Sequence, residues 1–549
     1  MRSRALEDDH LRGSKRLVRL AALLLAGGAA LAAAPSITGV YSAAGWVPPK
    51  LPNSGIAQGS IFAITGTGIG PANLQEVQSY PLPTTQGLAG TSIQVTVGGV
   101  TESCIMIYAW ATQVAAILPS AMPVGTGTLT LTYQGAQSSI AIQVLAANFG
   151  TFTLNEGGSG PAVVTDLNYN PITMINAAHP SQTLILWGTG LGAVTGDETQ
   201  PPQVADLGTG VLVFVGNQPA QVLYGGRSSS PGLDQINFVV PNGVSGCKVS
   251  IAVLVKGTTG NATTTSVAPP GQSTCADNSG PLQAATLQKA TANGSVNIAG
   301  IEISRIGNEY ETLLAYFGNF PLNSFIRSYG GTYLPSTGSC LAYEFAGTSL
   351  AIKDPVQPTF LDAGSSLIVT GPSGNKTIAD YSTGYFPATL AIAPSAYIKP
   401  GMYSVANGSG GTNVGSFNWG ATLPNPIVPT NIPATVNRAQ DLTLNWTGGS
   451  GFSVVGIFVY SGLLVNSATV TSSYVEILCN ADPSAGTFTI PSAFLNLLPT
   501  NGYGTTTQQG VSVQMAGIPE MLYSATGSPG IDTGVLTVFE TTGSVVAVQ

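Results

Sequence analysis

The run Ile61 to Gly70, ending Thr65-Gly66-Thr67-Gly68-Ile69-Gly70, reappears 122 residues later as Thr183 to Gly192, ending Trp187-Gly188-Thr189-Gly190-Leu191-Gly192. The downstream order repeats as well. In each copy a segment around a glycine turn (Ile93 to Gly99; Val211 to Gly216) leads to a tyrosine (Tyr108; Tyr224). A glutamine-led apolar run closing on proline follows (Gln113 to Pro119; Gln235 to Pro241). Repetition at domain length, with glycine at matching turns, implies two tandem copies of one β-module rather than a single catalytic domain.

What surrounds the duplication is also β-like. Only 8% of the 549 residues are charged while 44% are hydrophobic, and Gly (69) and Pro (37) are abundant. Such a mix suits all-β domains, in which β-branched residues fill strands and Gly, Pro and Asn make the reversals. The length allows three to five domains by ordinary domain size. Long helices, collagen and wholesale disorder are not expected.

The N-terminus reads as an export signal over residues 1–32. Lys15, Arg16 and Arg19 precede the apolar run Leu20 to Ala34, and Ala30-Leu31-Ala32 offers small residues for cleavage. The run is shorter than the roughly 20 residues a membrane span needs. Residues 1–32 hold six of the 17 basic and three of the 25 acidic residues, so the processed chain carries a net charge of about −11, which opposes capture of nucleic acid or anionic lipid. Export permits disulfides. Of the five cysteines, Cys104 lies in the apolar stretch Cys104-Ile105-Met106-Ile107 and is expected to be the buried odd one. Cys247 leads into the last strand of the second repeat and Cys275 follows a proline linker, so a Cys247–Cys275 bridge is expected; Cys340 would then pair with Cys479.

The expected organisation is repeat one over 37–147, repeat two over 148–267, a linker over 268–280 marked by Pro269-Pro270, a β-rich unit over 281–423, and a last sandwich over 431–549 after the proline cluster Pro424 to Pro429. Within these, Gly371-Pro372-Ser373-Gly374-Asn375 reads as a hairpin turn. Leu442, Leu444 and Trp446 share one strand face, and Pro491 to Pro499 holds one short helical turn.

The repeats resemble the IPT/TIG class of immunoglobulin-like domains, and more closely an uncharacterised module of predicted secreted acidobacterial proteins. The residues that carry this are Gly66 to Gly70, Tyr80-Pro81-Leu82-Pro83, Leu88-Ala89-Gly90-Thr91 and Ala111 to Pro119 in the first copy. In the second they are Asn176 to Pro180, Trp187 to Gly192, Tyr224-Gly225-Gly226 and Pro231 to Asn237. The resemblance covers about 230 residues and implies tandem immunoglobulin-like β-sandwich domains, with no catalytic, cofactor or metal residues to carry over.

Candidate chemistry is sparse. The glycine runs lack the following helix that a phosphate-cradling loop requires. His179 is the one histidine after export, in a loop before Pro180, and no G-x-S-x-G elbow occurs. Ser373 and Lys376 have Ser-x-x-Lys spacing but sit in the hairpin turn. Glu309 with Glu311, or Asp354 with Asp362, could form a carboxylate pair of the glycosidase kind; solvated loop acids are the ordinary reading. Asp166-Leu167-Asn168-Tyr169-Asn170 resembles the start of a calcium loop without its glycine and distal glutamate, so an Asx-turn is favoured. Aromatics cluster at Tyr310, Tyr316, Phe317, Phe320, Phe325, Tyr329 and Tyr333, as core or as a binding face. These features point to a secreted or cell-surface, multi-domain, non-catalytic protein with a structural, adhesive or interaction role, partnered by a protein or polysaccharide. The alternatives are a polysaccharide-binding protein with its site in the C-terminal half and, behind it, a carbohydrate-active enzyme there.

Overall fold

A computed structural model describes residues 34–201, 207, 210–277, 280–305, 310–327, 334–346, 358–466, 471–499, 503–505, 508–524 and 529–549. The segment read as an export signal lies outside them. The fold is all-β. Among the described residues no helix is long and apolar enough to cross a membrane.

Strand alternation builds the first unit directly. In Thr91–Val97, Thr91, Ile93, Val95 and Val97 are buried while Gln94 and Thr96 face solvent, the period of two expected of a half-buried strand. Two five-stranded sheets pack face to face, one ordered Ser36–Ser42, Ile61–Thr67, Gln113–Ile117, Ile105–Ala109, Gln75–Glu76. Phe62, Ile64, Val95, Leu129 and Leu131 fill the space between them. The free thiol of Cys104 lies in this core, where burial pushes its pKa far up and keeps it unreactive.

The second unit repeats the arrangement. Ile61–Thr67 pairs with Gln113–Ile117 in the first copy, and Thr183–Thr189 pairs with Asp234–Val239 in the second, so the two repeated motifs are neighbouring strands both times. Each copy also makes the same two-residue hairpin. Gly98 and Gly99 have φ of 57° and 84°, and Gly216 and Asn217 have 55° and 61°. Both central residues of such a tight hairpin need positive φ, which explains Gly-Gly and Gly-Asn at these places.

The copies diverge where they meet. In the second, the Gly190 and Leu191 amides donate to one Asp234 carboxylate oxygen at 2.7 and 2.8 Å, while Arg227 pairs with the other, both side chains being buried. Arg227 Nη2 reaches out of the unit to the Gly59 carbonyl at 2.7 Å. By the repeat alignment Thr112 stands where Asp234 does, so the first copy has no equivalent carboxylate. The ion pair therefore serves the junction, with Ser120 donating to Glu198 (2.7 Å) and Ile61 N–H donating to Thr189 (2.8 Å) beside it.

The segments expected as two successive units, 281–423 and 431–549, are interleaved. Ser295–Arg305 pairs in parallel with Thr533–Glu540, and Ser339–Ala346 pairs with Thr471–Ala481. The result is two sandwiches: a six-stranded sheet on a four-stranded one that contains the Ser366–Gly371/Gly374–Ala379 hairpin, and an eight-stranded sheet on a three-stranded one. Trp419, Phe317 and Tyr403 centre the first core; Trp446, Leu444 and Phe494 centre the second. The residues read as a linker are packed, since Ala268 and Cys275 are buried and the Ala177 amide donates to the Ser273 carbonyl. A helix not expected from the sequence, Ala284–Asn293, follows and ends at Gly294 with φ 71°. Its Leu287 and Ala290 pack beneath Phe320 and Phe325.

Cys247 is joined to Cys275 (Cα–Cα 5.1 Å) and Cys340 to Cys479 (Cα–Cα 4.0 Å). The first end of the chain also enters the last core. Val47 and Leu51 pack with Leu341, Val475 and Trp446, and Ser473 Oγ donates to the Pro49 carbonyl at 3.0 Å.

Candidate ligand cavity

Most acids singled out from the sequence are used up by local structure. Glu311 is buried, pairs with Arg305, and accepts from the backbone amides of Tyr397 and Ile398. Asp362 accepts from Gly364 and Thr412 amides. Asp166 accepts from the Asn168 and Asn170 amides at 2.8 Å, the Asx-turn form of that loop. Glu309, Asp354, Tyr329 and Tyr333 lie outside the described residues. His179 is exposed, and Ser373 and Lys376 lie in or beside their hairpin turn.

The aromatic cluster divides. Phe317, Phe320 and Phe325 are core, whereas Tyr310 is 52% exposed. A surface row of rings exists nearby, Phe360, Tyr385 and Tyr381, but successive rings are inclined by 52° and 74°. It offers no flat platform for a sugar ring.

Acids that sequence inspection passed over converge elsewhere. On the six-stranded sheet, Ile301, Ile303 and Leu313 point into the sandwich core, so their alternate neighbours Gly300, Glu302, Leu314 and Tyr316 face the other way. One rung across four strands reads Leu314, Glu302, Thr537, Glu520. On the eight-stranded sheet, alternation sends Val475, Ile477 and Cys479 into the core and turns Glu476, Leu478 and Asn480 outward. The two outward faces confront each other across a cavity of about 340 Å³, closed at one side by Lys248 of the second unit and Asp277 of the linker. That volume suits a small ligand. No single stretch of sequence outlines it, because its walls come from strands far apart in the chain.

Burial governs the electrostatics. It lifts the Glu476 carboxyl to about 7 and lowers the Lys248 ammonium to about 8 against the pull of Asp277 and Glu520. Asp277 and Glu302 are also raised by burial, opposed by Lys248 in the first and by the Ser304 hydroxyl in the second. A carboxyl with a raised pKa stabilises the fold while protonated. For Glu476 that contribution is complete below about pH 4.5 and is lost as pH climbs through 7, on the order of 1–3 kcal/mol after screening by cavity solvent. Melting curves of Glu476→Gln and the parent from pH 5 to 8 check this: the parent should lose stability over that window relative to the variant, and parallel curves would contradict it.

No protein-family model matches the chain, and no curated protein matches it. Among solved structures it is similar to the plexin A4 extracellular region (17% identity, 42% of this chain and 18% of that one, TM-score 0.16). It is similar also to domains 5–6 of the S-layer protein SbsC (14% identity, 42% and 98%, TM-score 0.15). A third is the Bacteroides ovatus mixed-linkage glucan utilization locus protein SGBP-B, in complex with a mixed-linkage heptasaccharide (10% identity, 84% and 93%, TM-score 0.12). The chain spans 18% and 30% of two plexin A4 chains that it matches. All these scores are low, and the β-sandwich assignment rests on the strand pairing above.

Proposed function

We propose that this protein is exported and acts at the cell surface or outside the cell as a non-catalytic structural or adhesive module of the IPT/TIG type. The observation that carries the reading is the interlocking of its units. Arg227 ties the second unit to the first, Val47 and Leu51 of the first unit complete the last core, and two strand pairings stitch the third segment to the fourth. A chain tied at so many points behaves as one stiff block, which suits load-bearing or presentation of fixed loops. Two disulfides fit an oxidising compartment.

The test is a screen of the purified protein on insoluble and soluble polysaccharides, together with ester, peptide and glycoside substrates. No turnover is expected. Glycoside hydrolysis that vanished in Glu302→Gln would overturn the reading in favour of an enzyme, and tight retention on one glycan would replace the structural role with polysaccharide binding.

A further inference from the structure

The cavity between the two outward sheet faces carries a surplus of hydrogen-bond acceptors and of negative charge. Glu476, mostly buried, has no hydrogen-bond partner among the described residues. Two residues along the same strand face, Asn480 is 3% exposed; its amide nitrogen donates to the Pro335 carbonyl at 3.0 Å, which leaves its buried Oδ1 without a donor. Successive residues on one face of a strand stand about 7 Å apart, so Asn480, two steps on from Glu476, lies about 13 Å from it and is a second unsatisfied acceptor in the same wall rather than a partner for the same donor. Four carboxyl side chains, Asp277, Glu302, Glu476 and Glu520, line the space against one lysine, Lys248. The remaining wall is apolar and aromatic, chiefly Tyr343, Phe458 and Phe539.

From this we infer that the cavity is a binding site for a small organic ammonium ion, its charged head at Glu476 and its apolar body against the Phe458 and Phe539 rings. Its N–H donors satisfy the Glu476 oxygens that the fold leaves without a partner, its positive charge pairs with the carboxylate it forms there, and aromatic faces add cation–π attraction. A metal ion fits less well: among the described residues no three His, Cys, Asp or Glu side chains converge as ligands. A neutral sugar would meet the polar groups but gain no ion pair with Glu476.

Because Glu476 binds a proton up to about pH 7, the ammonium must displace that proton, and affinity rises with pH. The charged groups facing Glu476 across the cavity are Lys248, Asp277, Glu302 and Glu520, with Tyr316 and Tyr343 as cavity phenols and Tyr460 as its neighbour in the ladder. Loss of the Lys248 proton near pH 8 acts in the same direction.

Isothermal titration of the whole exported chain with benzylamine, benzyl alcohol and cellobiose tests the inference independently of any adhesive role. Benzylamine is expected to bind at least tenfold more tightly than its neutral isostere or the disaccharide, several-fold more tightly at pH 7.5 than at pH 5.5. Glu476→Gln should weaken benzylamine at least tenfold and leave benzyl alcohol unchanged. Leu314→Trp, which fills the cavity from a 41% exposed wall position, should block benzylamine without replacing any carboxyl, and so covers the case of a misfolded Glu476→Gln. Absence of benzylamine binding, equal or tighter binding of either neutral compound, or benzylamine binding unaffected by both substitutions would overturn the assignment.

Discussion

Arg227→Ala is expected to destabilise the N-terminal half by about 3–5 kcal/mol, because it strands the buried Asp234 carboxylate without its countercharge. Burial already pushes that carboxyl up against the pull of Arg227 and of the Leu191 and Gly190 amides, so removing the guanidinium leaves protonation as the main escape. The variant should accordingly recover stability as the pH is lowered, which a simple packing defect would not do. The Gly59 and Gly192 carbonyls lose a donor as well, and protease cuts near the junction of the two repeats should accelerate. Replacing both partners, Arg227→Met with Asp234→Leu, should restore much of the loss. Denaturation monitored in the N-terminal half, with a change below 1 kcal/mol for Arg227→Ala, would refute the account.

Removing the Cys340–Cys479 bridge as a double alanine variant should cost about 5 kcal/mol on the chain-entropy argument, against about 3.5 kcal/mol for Cys247–Cys275, since the bridges span 139 and 28 residues. The ranking is the sharper claim. Cys340 and Cys479 stand directly opposite each other in adjacent strands, so the strand ladder and the bridge restrain the same pair of residues. Guanidinium unfolding of the two double variants measures the order directly. A larger loss at Cys247–Cys275 would mean that the ladder around Cys340 survives in the unfolded chain and has already used that entropy.

How much of this was visible in sequence depends on distance along the chain. The repeated strands, the Gly98-Gly99 and Gly216-Asn217 turns, the Ser366 to Ala379 hairpin and the helical turn at Ser492 are local, and residue type alone encodes them. Leu442, Leu444 and Trp446 do share a buried face. The swap of strands between 281–423 and 431–549 has no local mark, since Ser295–Arg305 would read the same beside any apolar strand. The Pro424 to Pro429 cluster looked like a domain border because proline breaks ladders; here it follows the strand Asn418–Leu423, and its own Val428–Pro429 pairs with Leu442–Thr447 inside an interleaved pair. The candidate site was the least legible part. Glu302 and Glu476 are isolated acids in apolar strands, and only the confrontation of two sheet faces makes them neighbours. One signal was available: a lone carboxylate at an alternating position of a long apolar strand is costly unless something faces it.

The parallel pairing of Ser295–Arg305 with Thr533–Glu540 also sets an order of events for a chain that emerges N-terminus first. Until the last strands arrive, Ser295–Arg305 has only Tyr310–Pro321 beside it and offers its other edge unpaired, and Val511–Ile518 lacks Thr542–Val548. Pairing across so long a loop is slow and leaves apolar edges open to wrong partners. The C-terminal half therefore stays pliable throughout synthesis and locks in a single late step, when the final seventeen residues thread two sheets at once. A stop codon anywhere in that tail would leave the two N-terminal repeats with their strands complete and the rest of the chain a substrate for proteases.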